Sequence, residues 1–236
     1  MDKLYIVIPA YNEAENIEGV INDWYSVIEK HSGNGESRLV VINDGSKDNT
    51  YEIIKKCSAS RPKLIALTKK NGGHGSTVLY GYKYAIKNGA DYIFQTDSDG
   101  QTSPLEFEKF WNLRNTYDAI LGNRRYRQDG ILRVITEGVL RFVLLIVFGI
   151  GVPDANAPYR LMKREIVTKY INMMEDDYNL PNVMLTTFFK YYGEKIIFLE
   201  ISFEPRKGGV NSINMRKIIK IGWKAMADFK MFRRNM

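Results

Sequence analysis

The stretch that decides the fold is YIFQTDSDGQ, residues 92–101, in which a short apolar run leads directly into an acidic loop. The run Tyr92-Ile93-Phe94 is typical of a strand that is buried in a sheet. Asp97 and Asp99 place two carboxylates on the loop, and Gln101 adds an amide oxygen. Hard oxygen ligands of this kind suit Mg²⁺ or Mn²⁺, which also bind diphosphate oxygens. An isolated D-x-D tripeptide is more often a solvated acidic turn, so the position directly after a strand is what favours a metal site.

Similar apolar runs occur on both sides of this stretch, and helical patterns separate them. Each run predicts a buried strand; the runs are Leu4–Ile8, Leu39–Ile42, Leu64–Leu67 and Ala119–Leu121. The helical patterns lie between them, at residues 12–30, 50–58 and 75–88. Strands and helices that alternate at this spacing predict an α/β fold, with a mostly parallel central sheet and helices on both faces.

Each polar cluster in this part of the chain directly follows a predicted strand. The clusters are Tyr11-Asn12-Glu13, Asn43-Asp44-Gly45-Ser46, Asn71-Gly72-Gly73, Asp97-Ser98-Asp99 and Asn123-Arg124-Arg125. The carboxyl ends of parallel strands meet at one edge of a sheet, and ligands of such folds bind there. We therefore expect the five clusters to share one rim.

The glycine-rich cluster does not match the dinucleotide-binding pattern G-x-G-x-x-G, because Val78 stands where its last glycine is needed. We interpret it as a turn and a helix start whose backbone can approach a ligand closely. His74, within this cluster, is a candidate catalytic base, although a structural or substrate-lining role is favoured for it.

Arginines are frequent near the end of the last of these strands and recur downstream. The set comprises Arg124, Arg125, Arg127, Arg133, Arg160 and Arg206. A guanidinium group suits bidentate binding of phosphate, so we expect part of the set at phosphates and the rest on a solvated basic surface.

The second part of the chain contains a strongly apolar segment, Ile131 to Gly149, in which Arg133, Glu137 and Arg141 fall on one helical face. Its uninterrupted apolar part is about half of the ~20 residues that a membrane span needs. A helix lying in the membrane interface and a core helix are both compatible with this pattern. A late strand is predicted over Lys195 to Phe203.

Composition and charge narrow the classes further. An apolar fraction of 44% is ample for a packed core, and the single cysteine, Cys57, excludes an intrachain disulfide framework and suits a reducing compartment. Most of the net charge of +7 lies in residues 211–236, where seven bases face one acid. Residues 213–232 predict a basic amphipathic helix, which suits an anionic partner such as a membrane surface.

Taken together, the quoted motifs resemble glycosyltransferase family 2, the inverting enzymes of the A-type, Rossmann-like fold. The resemblance covers roughly the first 125 residues and is carried by Val7-Ile8-Pro9-Ala10-Tyr11-Asn12-Glu13, by the clusters after the second and third strands and by the acidic loop. Within the family, the chain is similar to the polyprenyl-phosphate branch, which includes dolichol-phosphate mannose synthases and bactoprenol glucosyltransferases.

Four segments carry the likeness to that branch. They are Asp97 to Pro104, Gly122-Asn123-Arg124, Asp154 to Arg160, and the closing loop Arg206 to Ser212. Two features depart from the branch pattern: Pro158-Tyr159 replaces Gly-Phe, and no lysine follows Ser212. The departures leave the acceptor open between a lipid phosphate and a saccharide of a capsule or surface polysaccharide.

The resemblance implies transfer of one sugar from a nucleoside diphosphate, with inversion and a divalent cation. By this carry-over Pro9, Tyr11, Glu13, Asp44 and Asp97 bind the nucleotide, and Asp97, Asp99 and Gln101 bind Mg²⁺ or Mn²⁺. Asp99, Arg124 and Arg160 are the candidate catalytic residues, and both arginines are expected to face phosphates. The phosphate or acceptor candidates are Arg125, Arg133, Arg206 and Ser212.

A saccharide hydroxyl needs a general base, whereas a phosphate oxygen is already ionised near neutral pH. Glu175-Asp176-Asp177 lies in the region where relatives that act on hydroxyls carry an acidic pair. A solvated turn is the favoured interpretation of these three acids, and the phosphate acceptor is the favoured hypothesis. A non-catalytic module that binds sugar nucleotides or membranes is the alternative of another class.

We expect a transferase domain over residues 1–210, with a nucleotide-binding half at 1–125 and an acceptor half at 126–210, followed by the basic tail at 211–236. The acceptor half contains the amphipathic helix near 131–149. The expected partners are a nucleoside-diphosphate sugar, a lipid-phosphate or glycan acceptor and an anionic membrane surface, without nucleic acid. The expected location is the cytoplasm, at the cytoplasmic face of a membrane.

Overall fold

The computed structural model describes residues 2–124, 131–204 and 225–234, and for residues 131–135 it describes the backbone alone. Seven strands form one sheet: β1 (Leu4–Ala10), β2 (Arg38–Asn43), β3 (Leu64–Thr68), β4 (Tyr92–Gln95), β5 (Ala119–Arg124), β6 (Arg160–Lys163) and β7 (Ile196–Ile201). The α-helices are α1 (Ile17–Lys30), α2 (Thr50–Ala59), α3 (His74–Lys87), α4 (Phe107–Trp111), α5 (Ile131–Phe148), α6 (Arg164–Ile171), α7 (Pro181–Tyr191) and α8 (residues 225–234). Short 3₁₀ turns lie at Gly33–Gly35 and Pro104–Glu106.

The strand order is β3-β2-β1-β4-β6-β5-β7, and the pairing is parallel except on both sides of β6. The predicted mostly parallel sheet is therefore confirmed. Because β6 runs antiparallel to both β4 and β5, β4 and β5 run in the same direction. The carboxyl ends of β1 to β5 therefore lie at one edge of the sheet. The sequence pattern does not predict β6, α6 or α7. β6 has only four residues, of which Leu161 and Met162 alone are apolar, so it carries almost no periodic signal.

Two apolar cores, one on each face of the sheet, confirm the predicted helices on both faces. Side chains of successive residues in β1 alternate between them: Val7 enters one core, and Ile6 and Ile8 enter the other. The first core is covered by α3, α5, α6, α7 and α8, and the second by α1, α2 and α4. Both sides of β1 are fully buried, which explains its continuous apolar run.

The first helix begins later than the sequence pattern predicts, at Ile17 rather than near Asn12. Asn12 has φ = 54°, a left-handed conformation that a helix cannot include. Its side-chain Oδ1 accepts a hydrogen bond from the backbone N–H of Lys47 at 2.8 Å, so the segment after β1 is tied to the loop after β2. Residues 11–16 thus belong to the rim rather than to the helix.

Part of the predicted basic tail packs against the body of the protein. The ring of Phe229 lies 5.9 Å from that of Phe148 in α5, and Phe232 contacts the rings of Tyr178 and Phe188. Lys230 and Arg234 stay exposed. The apolar face of α8 is therefore occupied by the chain's own core, and its charged face points outward. Residues 213–224, the rest of the predicted tail helix, lie outside the described residues.

Helix α3 approaches the sheet closely at Gly81, and this contact yields a stability prediction. A Cβ at this position would overlap Cγ1 of Val7 and lie 3.0 Å from Cδ1 of Ile42, both in the core. Forcing a methyl group into a packed core costs about 1–3 kcal/mol. We expect Gly81→Ala to lower the free energy of unfolding by this amount in urea denaturation.

The matched control is Gly19→Ala in α1, where a Cβ would have no neighbour within 4 Å. Replacing glycine by alanine inside an exposed helix stabilises it by about 0.5–1 kcal/mol. Equal effects of the two substitutions would contradict the close packing of α3 on β1.

Candidate nucleotide and metal site

The loops that follow β1 to β4 are joined to one another by hydrogen bonds, so the predicted rim is present. The backbone N–H of Asn12 donates to Ser46 Oγ at 3.0 Å, and the backbone N–H of Gly73 donates to Asp44 Oδ2 at 2.9 Å. Nε2 of His74 lies 3.0 Å from Asp97 Oδ1. These contacts link the first loop to the second, the second to the third and the third to the fourth.

The nucleotide-binding candidates after β1 differ in exposure. Pro9 is buried within β1, in register with Ile42 of β2. Tyr11 is exposed on the rim, whereas Glu13 is buried and its backbone N–H donates to Thr50 Oγ1 at 2.8 Å. Of these three side chains, only that of Tyr11 has a free surface on which a base could stack.

Asp44 lies at the junction of β2 with the glycine-rich loop, and its side chain is buried. Its Oδ1 accepts from Lys69 Nζ at 2.7 Å and from the N–H of Gly72 at 2.9 Å, while Oδ2 accepts from the N–H of Gly73. These charge-assisted bonds hold the glycine-rich loop in place. In this structure Asp44 therefore shapes the wall of the site, and its direct contact with a nucleotide stays a prediction.

Lys69 was not singled out in the sequence. It follows β3 as the first of two adjacent lysines, and its partner Asp44 is 25 residues upstream. The only available signal was its position at the end of a strand, on the rim.

The acidic loop follows β4 and turns at Gly100, which has φ = 70°. The backbone N–H of Gln101 donates to Asp99 Oδ1 at 3.1 Å. The Gln101 side chain is buried, and its Nε2 donates to the carbonyl oxygen of Glu204 at 2.7 Å. Gln101 thus connects the loop to the segment after β7 and keeps Oε1 as its remaining acceptor.

The donor set of this loop fits a divalent ion that shares its coordination with a ligand. Within the described ranges, no group of three or more His, Cys, Asp or Glu side chains is arranged to hold a metal by itself. Mg²⁺ and similar hard cations are commonly held by one or two carboxylates together with substrate phosphates and water. The pair Asp97 and Asp99, partly exposed on one loop, meets that requirement.

His74 opens α3 beside the acidic loop, with about half of its side chain exposed. Burial opposes its protonation, but the charge and hydrogen bond of Asp97, with smaller contributions from Asp99 and Asp44, raise the pKa of His74. A protonated His74 pairs with Asp97 and reduces the repulsion between neighbouring carboxylates. This geometry supports the structural or substrate-lining role that the sequence favours.

Arg124, at the end of β5, is held by two acids. Its Nε and Nη2 contact Oδ2 and Oδ1 of Asp154 at 2.7 and 3.0 Å, and Nη2 also contacts Glu137 of α5 at 2.9 Å. The side chains of Arg124 and Asp154 are only 7% and 4% exposed. Burial alone would lower the pKa of Arg124, but Asp154 and then Glu137 raise it. Arg124 therefore joins α5 to the rim.

Arg160, in β6, is completely buried. Its guanidinium donates to the carbonyl oxygens of Ala157, Asn182 and Ala155 at 3.1–3.3 Å. Burial lowers its pKa, and Tyr82 and Asp154 partly oppose that effect. Arg160 thus lies behind the rim, where it fixes backbone segments, and its predicted contact with a phosphate stays a prediction that needs the side chain to move.

The structure does not locate the side chains of the remaining candidates for phosphate binding. Arg125, Arg127, Arg206 and Ser212 lie outside the described residues, and Arg133 belongs to α5 with its side chain outside them.

The acidic cluster Glu175-Asp176-Asp177 is exposed, and Asp176 forms an ion pair with Lys83 of α3. The next two residues, Tyr178 and Asn179, place their carbonyl oxygens against Gly75 at the start of α3. The exposure of the cluster and its surface ion pair agree with the solvated turn that the sequence favours.

Comparison with known proteins identifies the class that this fold and site define. The sequence model of glycosyl transferase family 2 matches residues 5–171. The chain belongs to this family, and the domain is a glycosyltransferase domain.

Two relatives of known activity transfer sugars to polyprenyl phosphates. The UDP-N-acetylglucosamine–dolichyl-phosphate N-acetylglucosaminyltransferase of Methanococcus voltae is 27% identical over 184 residues, 69% of this chain and 70% of that protein. The undecaprenyl-phosphate 4-deoxy-4-formamido-L-arabinose transferase of Pectobacterium atrosepticum is 24% identical over 219 residues, 92% of this chain and 64% of that protein. The chain thus spans about two thirds of the length of each.

Solved structures share the fold. Glucosyl-3-phosphoglycerate synthase from Mycobacterium tuberculosis, in complex with Mn²⁺ and uridine-diphosphate-glucose, superposes with a TM-score of 0.68 at 16% identity, covering 98% of this chain and 79% of that one. The predicted A-type glycosyltransferase fold is thereby confirmed.

Proposed function

We propose that this protein transfers a sugar from a nucleoside-diphosphate sugar to a polyprenyl phosphate, with inversion and with a divalent cation. The observation that carries the proposal is the rim itself, where hydrogen bonds join four strand-end loops in sequence and the last loop carries Asp97 and Asp99. The two relatives described above support the acceptor class, since each is named for transfer to a polyprenyl phosphate.

In binding the nucleotide-sugar donor, each part of the rim has a proposed role. Tyr11 flanks the base, while Asp44 and Lys69 hold the glycine-rich wall. Asp97 and Asp99, with Oε1 of Gln101, hold the cation. A bound Mg²⁺ or Mn²⁺ stabilises the charge that develops on the departing diphosphate, which is worth several kcal/mol.

A thermal-shift experiment tests the donor half. A ligand that binds only the native state raises the melting temperature. We expect one uridine- or guanosine-diphosphate sugar to raise it in the presence of Mn²⁺, and EDTA to abolish the rise. No rise with any nucleotide sugar, with or without Mn²⁺, would contradict a donor site on this rim.

The acceptor half rests on charge and on the acceptor class for which the two relatives are named. A phosphate oxygen is ionised near neutral pH and attacks without a general base, whereas a sugar hydroxyl needs one. Among the acids predicted as the alternative base, Asp176 is exposed and paired with Lys83 of α3. Arg124, with Arg125, Arg133, Arg206 and Ser212, supplies the candidates for binding the acceptor phosphate.

Asp176→Asn separates the two acceptor classes. We expect this variant to keep the wild-type rate of transfer within about twofold, because an exposed ion pair contributes little beyond ~1 kcal/mol and takes no part in a base-free reaction. The measurement is product formation under saturating donor. A near-complete loss of turnover with normal donor binding would favour a saccharide acceptor.

The proposal includes contact with the membrane through α5. Val139, Phe142, Leu145 and Ile146 of this helix are more than half exposed and follow helical spacing, which makes a lipid-facing stripe. Across the described ranges, none of the helices combines the length and the apolar character that a membrane span requires. A peripheral contact, with α5 lying in the interface, is the arrangement that brings the rim to a lipid-linked phosphate.

Vesicle co-sedimentation tests this contact. Burial of one large apolar side chain is worth about 1.5–3 kcal/mol, so replacing two of them should weaken binding at least tenfold. We expect the double variant Phe142→Glu with Ile146→Glu to lose binding to vesicles that contain phosphatidylglycerol. Tyr80→Glu, which changes an exposed aromatic residue on α3, serves as the control. Equal binding of both variants would exclude α5 as the contact.

A further inference from the structure

A chain of buried polar side chains runs from α7 to the acidic loop. It consists of Asn182 in α7, Tyr82 in α3 and Gln95 at the end of β4, and it ends at Asp97. The first three side chains are fully or almost fully buried. Such groups are costly in a core unless each finds a hydrogen-bond partner.

The distances connect these groups in one line. The Tyr82 hydroxyl lies 3.2 Å from the side-chain oxygen of Asn182 and 2.9 Å from Oε1 of Gln95, and Nε2 of Gln95 lies 3.4 Å from Asp97 Oδ1. Asn182 is anchored in turn, since its backbone carbonyl accepts from Nη1 of Arg160 at 3.1 Å. The line therefore begins at a fixed point in the core and ends on a rim carboxylate.

The donor and acceptor properties of these groups fix the direction of each hydrogen bond in the line. An Asp97 carboxylate only accepts, so the Gln95 amide must turn its N–H toward it and its Oε1 toward Tyr82. Tyr82 then donates its single proton to Oε1. Burial raises the pKa of Tyr82, so the hydroxyl keeps that proton at any working pH. The Asn182 amide satisfies Tyr82 best when its N–H faces the phenol oxygen, an orientation that amide flipping allows.

The two oxygens of the Asp97 carboxylate thus have different surroundings. Oδ1 faces Gln95 and His74, whereas Oδ2 makes no hydrogen bond within the described part of the chain. A carboxylate with one oxygen restrained and the other open has a fixed orientation. Partners behind a metal ligand that restrain it in this way typically affect metal affinity tenfold to a hundredfold.

We propose that Asn182, Tyr82 and Gln95 form a positioning relay that orients the Asp97 carboxylate toward the divalent cation. The relay rests on the proposed function, because it presupposes that Asp97 is a metal ligand. None of its three members touches the substrate, so they are positioning residues. Tyr82 acts on Asp97 only through Gln95.

The test is titration of the protein with Mn²⁺ alone, with free Mn²⁺ measured by electron paramagnetic resonance. Tyr82→Phe removes one oxygen atom, and Gln95→Met keeps the side-chain length while removing both the acceptor and the donor of the amide. We expect each to weaken Mn²⁺ binding about tenfold. Because Tyr82 acts through Gln95, the double variant should bind no more weakly than Gln95→Met alone.

The matched control is Tyr170→Phe, which also removes a hydroxyl hydrogen bond from a buried ring, here to Glu194, away from the rim. It should bind Mn²⁺ as the wild type does. Wild-type affinity in Tyr82→Phe, or multiplicative losses in the double variant, would overturn the relay and leave the proposed function standing. Failure of the wild-type protein to bind Mn²⁺ would instead overturn the metal site, and the relay with it.

Discussion

Replacing Asp99 with asparagine should lower the rate of sugar transfer about a hundredfold or more while leaving the protein folded. The substitution keeps the size of the side chain and removes one of the two carboxylate charges on the acidic loop. A cation that stabilises a departing diphosphate contributes several kcal/mol, and each ~1.4 kcal/mol is a factor of ten in rate. The measurement is the initial rate of product formation over a range of Mn²⁺ concentrations.

The control for this prediction is Asp23→Asn, which removes the same charge from an exposed position on α1. We expect this variant to transfer sugar at the wild-type rate. Retention of the rate within about threefold in Asp99→Asn, at every Mn²⁺ concentration, would remove Asp99 from the set of metal ligands.

Arg124→Met should lower the free energy of unfolding by about 3–5 kcal/mol, the usual cost of removing one partner of a buried ion pair. Asp154 is buried, and it loses the two hydrogen bonds that its oxygens accept from the Arg124 guanidinium. The loss should be visible as a lower midpoint in urea denaturation. The substitution also removes the contact between Arg124 and Glu137, so we expect the packing of α5 against the rim to loosen.

A second substitution distinguishes the loss of the ion pair from a simple loss of packing. Adding Asp154→Asn to Arg124→Met removes the negative charge that Arg124 balances and should restore at least about half of the lost stability. Arg164→Met, which breaks an exposed pair with Glu165, should cost less than ~1 kcal/mol. A small loss in Arg124→Met, or no recovery in the double variant, would contradict the buried clamp.

The nucleotide-binding half of the fold was predictable because its signals are local. β1, β2 and β4 are buried on both faces, so they read as continuous apolar runs. The polar clusters could be assigned to one rim because parallel strands end at the same edge. The antiparallel β6 was missed, since a strand of four residues with two apolar side chains has no detectable period.

The roles of the arginines were the least predictable part of the site. The sequence places Arg124 and Arg160 near the rim, and the resemblance assigns both to phosphates. Their burial depends on partners that are distant in sequence, Asp154 at 30 residues from Arg124 and Asn182 at 22 residues from Arg160. No pattern within a helix or strand reveals such pairs, because they form only when β5, β6 and α7 pack together.

The partner of the tail helix was likewise not predictable from the sequence. Its amphipathic pattern predicts an apolar face that needs a partner, and a membrane and a protein core satisfy that need equally well. The structure gives the apolar face of α8 to the core, at Phe148 and Phe188. In the proposed function, the membrane contact is therefore assigned to the exposed stripe of α5.

The most direct test of the proposed function is mass detection of the product when the purified protein is incubated with nucleotide sugars, Mn²⁺ and a polyprenyl phosphate. We expect a polyprenyl phosphate that carries one added sugar, formed with Mn²⁺ or Mg²⁺ and absent with EDTA. Transfer to saccharides alone, or no transfer from any nucleotide sugar, would contradict the proposal.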